Sequence, residues 1–160
     1  MRVIQITDLH IGQEGEDTYF VDVRENFRRI IAAVQERRPN YLVLSGDLCY
    51  SQGDLEIYAW VKEWVDQLKI PYEVIAGNHD DSKLLTEAFQ RQADFQPDGL
   101  YFGRNWGGRP VLFMDTSTYK VEMPQLEWLQ QQLQQMRGDI ILFIHHPPLL
   151  VGTPFMDNNH

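Results

Sequence analysis

The chain has 160 residues, 23 acidic against 14 basic, for a net charge of −9. That balance argues against a general nucleic-acid binder, because such binding rests on Lys and Arg neutralising phosphates. A chain of this length is by default a single domain that buries about 70% of the surface its unfolded form exposes, and no apolar run approaches the ~20 residues that span a bilayer.

The N-terminus carries neither a long apolar segment nor a small-residue cleavage site, so nothing there reads as a secretory signal. Cys49 is the single cysteine, which excludes a disulfide framework within the chain. A cytoplasmic location is the expectation.

In chain order, Arg2 to Thr7 is a short strand ending at Asp8. From Tyr19 to Arg38, apolar Phe20, Val23, Phe27, Ile30, Ile31 and Val34 recur at helical spacing, and Pro39 stops the helix. Tyr41 to Ser45 is a continuous apolar run bounded by Gly46, as expected of a strand covered on both faces. Asp54 caps a second helix carrying Leu55, Tyr58, Val61, Trp64, Val65 and Leu68. A third strand follows Pro71 and ends at Gly77.

Asp81 to Arg91 reads as a helix. Leu100 to Ser117 reads as a hairpin around Gly107-Gly108. Pro124 opens a last helix to Arg137, with Leu126, Trp128, Leu129, Leu133 and Met136 as its apolar set, and Asp139 to Ile144 is the final strand. Three of the four tryptophans lie on helical apolar faces and are expected in the core, whereas Trp106, beside the hairpin turn, is the one candidate for an exposed platform. The alternation is that of an α/β domain with parallel core strands joined by right-handed crossovers.

Four strand ends carry polar residues: Asp8 and His10, then Gly46-Asp47, then Gly77-Asn78-His79-Asp80, then His145-His146. Each has an ordinary reading as a cap, a turn or a neutral imidazole bonded to backbone. In open α/β sheets, however, ligands bind beyond the carboxyl ends of the strands, so these groups converge. Carboxylates, an amide and imidazoles together form a mixed oxygen and nitrogen set suited to Mn, Fe, Zn or Co. Bound cations would also reconcile an acidic chain with a phosphate substrate.

Asp8-x-His10, Gly46-Asp47, Gly77-Asn78-His79-Asp80 and His145 resemble, in order, four of the five motif blocks of the calcineurin-like metallophosphoesterase superfamily. The wording "ITDLH", "LSGDL", "GNHD" and "HHPP" is most similar to the class III cyclic nucleotide phosphodiesterases and their bacterial relatives. The resemblance implies a four-layer α/β/β/α sandwich with a dinuclear metal centre. It implies Asp8 and His10 as ligands of the first metal, Asp47 as the bridge, and Asn78 and His145 as ligands of the second. It casts His79 as the group beside the leaving oxygen, with Asp80 orienting His79 or the backbone. The other reading of Asp80 is as the cap of the next helix.

His145 is preferred over His146 because the ligand of that block stands two residues before a proline; were the strand pleat to continue, the two rings would point to opposite faces. The implied activity is metal-dependent hydrolysis of a small phosphodiester or nucleotide, such as 3',5'-cyclic AMP, with neither a nucleic-acid polymer nor a membrane as partner. Phosphomonoesters and other nucleotides share the same metal chemistry.

The fifth block, Gly-His-x-His, does not occur in the 160 residues. Three accounts stand. Residues 1–160 are a single metallophosphoesterase domain lacking its C-terminal part; or the chain is a catalytically impaired scaffold of that fold; or His160 or another subunit of a homo-oligomer completes the site.

Overall fold

The computed structural model describes residues 1–153 and residue 157. Its first half alternates strand and helix: β1 (Val3–Ile6), α1 (Val23–Arg37), β2 (Tyr41–Ser45), α2 (Leu55–Asp66), β3 (Tyr72–Ile75) and α3 (Ser82–Ala88). β1, β2 and β3 form one parallel sheet in that order. Because the order advances in one direction, right-handed crossovers put α1 and α2 on the same face. Phe27 of α1 and Trp60 of α2 accordingly pack with ring centroids 5.5 Å apart.

The second half adds a two-stranded ribbon, β4 (Phe95–Gln96) and β5 (Gly99–Leu100), then β6 (Phe102–Trp106), β7 (Arg109–Phe113), α4 (Met123–Gln135) and β8 (Ile141–Phe143). β6 and β7 are the expected hairpin, and β8 joins β7 in parallel after the α4 crossover. The two sheets face one another, with the Tyr41 ring of the first stacked on Trp106 of the second, centroids 4.3 Å apart. One apolar core runs through both sheets and the faces of α1, α2 and α3. Helices outside two facing sheets make the α/β/β/α arrangement implied by the resemblance. Among the described residues, no helix is long and apolar enough to cross a membrane.

The structure departs from the sequence reading at four points. α1 begins at Val23, not Tyr19; its N-cap is Asp22, whose carboxylate accepts from Glu25 N at 2.8 Å. Tyr19 and Phe20 fit the helical period, but both adopt left-handed backbone (φ 54° and 61°) and face solvent. Trp106 is 4% exposed, because Tyr41 covers it from the opposite sheet. The ribbon of β4 and β5 is too short to leave a periodic signal.

The fourth correction concerns α4. Its apolar residues are not core: Leu126 and Leu133 are 42% and 47% exposed, and the buried residue of the helix is Gln125. The Gln125 amide accepts from Asp115 N (2.8 Å) and donates to Asp115 O (3.0 Å), so a polar bracket anchors the helix, together with half-buried Trp128 packed on Tyr101.

Candidate metal centre

β1 and β2 stay side by side past their last strand residues. Asp8 N donates to Gly46 O (3.1 Å), His10 N to Asp47 O (3.0 Å) and Ile11 N to Leu48 O (2.9 Å). Within this paired segment Asp8, His10 and Asp47 all have left-handed backbone, with φ of 55°, 45° and 53°. Such conformations cost on the order of 1 kcal/mol or more each, and the paired backbone holds them in place. The result aims three polar side chains at one point instead of alternating them across a sheet.

Asp47 is the hub. It is 4% exposed. Its Oδ1 accepts from His79 N (2.9 Å) and lies 3.5 Å from His145 Nε2, while its Oδ2 lies 3.7 Å from His10 Nε2. Burial alone would raise its pKa, but the His145 imidazole and the His79 N–H outweigh burial and hold the carboxyl below its ordinary value. At His145 burial opposes the charged ring; Asp47 and the Ser45 carbonyl prevail, and the pKa stands above the ordinary histidine value.

Two sets of side chains have candidate ligand atoms within 4.8 Å of one another: Asp8, Asp47 and His145, and His10, Asp47 and His79. Asp47 belongs to both. The imidazoles are oriented as ligating histidines usually are, with one ring nitrogen on a backbone carbonyl and the other facing the cluster. His145 Nδ1 lies 2.9 Å from Ser45 O, and His79 Nδ1 lies 2.7 Å from Tyr50 O. Thr7 Oγ1 steadies Asp8 through its Oδ2 at 2.6 Å. The donor set and its spacing thus fit two metal ions that share a carboxylate.

This geometry decides the family. Calcineurin-like phosphoesterase is the family whose sequence pattern matches residues 1–159. The chain belongs to that family. Among its relatives, a probable cyclic nucleotide phosphodiesterase of Fibrobacter succinogenes is 32% identical over 98% of this chain, and one of Synechococcus is 33% identical over 98%. A probable glycerophosphodiester phosphodiesterase of Arcobacter nitrofigilis is 28% identical over 98%. The chain spans 61%, 62% and 61% of the lengths of these three relatives. A crystal structure of a dimetal phosphatase from Danio rerio superposes with a TM-score of 0.67 at 14% identity, covering 89% of this chain and 68% of that one, and so shares the fold.

Within the calcineurin-like site, Asp8, His10 and Asp47 stay together, with His10 Nε2 3.8 Å from Asp8 Oδ1 and 3.7 Å from Asp47 Oδ2. Asp8 also stands with His145, and His79, expected outside the ligand set, also stands with His10. Asn78 Oδ1 accepts from His146 Nε2 at 3.0 Å.

Both adjacent histidines therefore face the centre, contrary to the expectation of opposite faces. β8 ends at Phe143, the pleat stops, and the bend that follows sets the two rings edge to face, centroids 4.7 Å apart. Thr116 Oγ1, 2.9 Å from His146 Nδ1, and Tyr119, with its ring 4.8 Å away, complete that pocket. Neither residue belongs to a motif, and no spacing pattern marks them. They line a cleft of about 540 Å³ with Lys120, Ile144, Pro148 and Leu149.

Asp80 does not reach His79. Its carboxylate accepts from Leu48 N (3.1 Å), Cys49 N (3.2 Å), Gly77 N (2.9 Å) and the Tyr58 hydroxyl (3.1 Å), tying the loops after β2 and β3 together. Burial raises its pKa against the pull of those four donors. It orients backbone, and the cap of α3 is Asp81. Cys49 is fully buried, and burial, with Asp80 beside it, pushes the thiol up to about 12, which removes it as a nucleophile. His160 lies outside the described residues.

Proposed function

We propose that this chain carries most of the site of a dinuclear metal-dependent phosphodiesterase acting on small phosphodiesters, with 3',5'-cyclic nucleotides as the favoured class. The observation that supports it best is the sharing of Asp47 between two three-residue sets. Two cations held ~3.5–4 Å apart repel, and a common carboxylate offsets that repulsion. Manganese or iron fits the mixed set, with zinc and cobalt as alternatives. On this reading Asp8, His10, Asp47, Asn78 and His145 are ligands. Metal ions held there would supply Lewis acidity and offset the chain's net charge of −9 toward an anionic phosphodiester.

The chain's own groups do the rest. Gly77 allows the β3 loop to lie against Asp47, and a side chain there would collide with Asp47 Oδ1 and stand 2.5 Å from its backbone N. His79, held by Tyr50 O, takes a proton from solvent and passes it to the departing alkoxide oxygen, a step worth roughly 10²- to 10⁴-fold. Asp80 fixes the distance between the loops that bear Asp47 and Asn78. The Gly-His-x-His block does not occur in residues 1–160, which span about three fifths of the lengths of these relatives.

The experiment is Asp47→Asn, assayed by metal content and by hydrolysis of bis(p-nitrophenyl) phosphate. Loss of both metals and of activity is expected; undiminished binding and turnover would sink the proposal. The scaffold alternative predicts no hydrolysis from the parent chain even after extension with the missing block.

A further inference from the structure

The loop from Gly12 to Asp22 displays aromatic rings that the fold does not use. Phe20 is 98% exposed and Tyr19 81%. A buried phenylalanine side chain is worth about 1.5–3 kcal/mol relative to an exposed one, so this arrangement forgoes a sizeable stabilisation. It also sets two consecutive non-glycine residues in left-handed backbone, φ 54° and 61°, a conformation disfavoured by roughly 1–2 kcal/mol per residue.

The loop is held, not loose. Phe20 N donates to Asp17 Oδ1 (2.9 Å), Thr18 Oγ1 to Val21 O (2.6 Å) and Val21 N to Thr18 O (3.1 Å). Gln13 Nε2 anchors its start to Asp54 Oδ2 (2.6 Å), and Arg24 clamps Gly12 O through Nη2 (2.8 Å).

Tyr19 connects this loop to the metal centre. Tyr19 packs edge-on against Tyr50, centroids 6.2 Å apart, and Tyr50 supplies the carbonyl that holds His79 Nδ1. His79 in turn lies edge-on to His10 at 4.8 Å. The path from ring to reacting centre is therefore Tyr19, Tyr50, His79. On the other flank, beside His146, the walls are aliphatic and the one ring, Tyr119, already rests on His146. Glu14, Glu16 and Asp17 accompany the exposed rings, a setting that disfavours phosphate and tolerates a neutral ring.

From these placements we infer that Phe20, next to Tyr19 in the chain, is a stacking platform for the nucleobase of the substrate, and so determines specificity on the His79 side of the site. The inference rests on the phosphodiesterase reading and narrows it to substrates with a planar ring. Base stacking on an aromatic side chain is sequence-tolerant, since every base has a π-face. The platform therefore favours nucleotides over ring-free diesters without choosing among bases.

Two substrates test it: adenosine 3',5'-cyclic monophosphate, which carries a purine, and glycerophosphoethanolamine, which has no ring. Phe20→Ala is expected to raise KM for the first about tenfold, to hold kcat within about twofold, and to leave the second unchanged, with Phe20→Trp restoring the parent KM. Equal effects on both substrates, or none on either, overturn the platform.

Hydrolysis of neither substrate, even after extension with the Gly-His-x-His block, counts against the phosphodiesterase reading, and the platform is then decided by equilibrium dialysis of adenosine 5'-monophosphate in EDTA. Retention about tenfold tighter by the parent than by Phe20→Ala supports it, and equal retention defeats it. A dimer lost in Phe20→Ala by sedimentation velocity, with nucleotide handling unchanged, would assign the rings to a second copy of the chain and also overturn the inference.

Discussion

His145 Nδ1 lies 2.9 Å from the carbonyl oxygen of Ser45, a residue 100 positions earlier on the facing sheet. This bond joins the sheets at the centre and turns Nε2 toward Asp47. His145→Ala removes it and opens space at an 8%-exposed side chain. Destabilisation of about 1–3 kcal/mol is expected in urea with EDTA present, together with loss of one metal in a stoichiometry measurement. Unchanged urea stability would show that the bond contributes nothing to holding the sheets.

Gly77 faces Asp47 so closely that a methyl group there would force the carboxylate aside. Gly77→Ala is expected to abolish metal retention in gel-filtered protein. Gly108→Ala, at a hairpin turn with no atom within 4 Å of the added carbon, keeps the full metal content and loses only a little stability through its φ of 90°.

His79 can be separated into its two roles by counting. If it delivers a proton, His79→Ala keeps two metals per chain and loses roughly 10²- to 10⁴-fold in kcat, with less loss for substrates whose leaving group is already a weak base. If it is a ligand, as its approach to His10 and Asp47 allows, metal content falls to about one.

Asp66, far from the centre, gives the pH dependence. Partial burial opposes its charge, but Lys62 (2.5 Å) and the Tyr72 hydroxyl (2.8 Å) prevail and lower its pKa. A depressed carboxylate contributes stability above the unfolded pKa of about 3.9 and loses it as pH falls through the folded value. Asp66→Asn is therefore expected to have a lower urea midpoint than the parent at pH 6, and the gap should close as acidification passes below the lowered folded-state pKa. A gap that persists there would assign the effect to packing. Lys62 and Asp66 lie at i and i+4 on an open surface, so the gap is small.

Much of this was legible from residue pattern because period and polarity agreed. β2 is a continuous apolar run that the structure buries on both faces, and Asp54 and Pro124 stand at helix starts as capping chemistry requires. Tyr19 and Phe20 were misleading because they continue the apolar period of α1 while their backbone is left-handed, and periodicity carries no information on φ. Trp106 was misread because its cover, Tyr41, comes from 65 residues away in sequence and from another sheet.

At the centre, the motif residues converge as their strand-end positions require. The approach of Asp8 to His145 was not legible, since it depends on how two sheets meet. The orientation of both histidines turned on a strand that ends two residues before them. Asp80 illustrates the limit of local reading: a carboxylate next to His79 suggested an orienting partner, yet its four donors come from three separate segments.

The left-handed backbone at Asp8, His10 and Asp47 has a consequence for how such a sequence drifts. At these positions glycine would relieve strain, so folding stability and ligand chemistry pull in opposite directions. A lineage released from selection for hydrolysis would gain stability by losing these side chains first. Here all three side chains stand together on strained backbone, so any variant that replaces one by glycine trades ligand chemistry for stability.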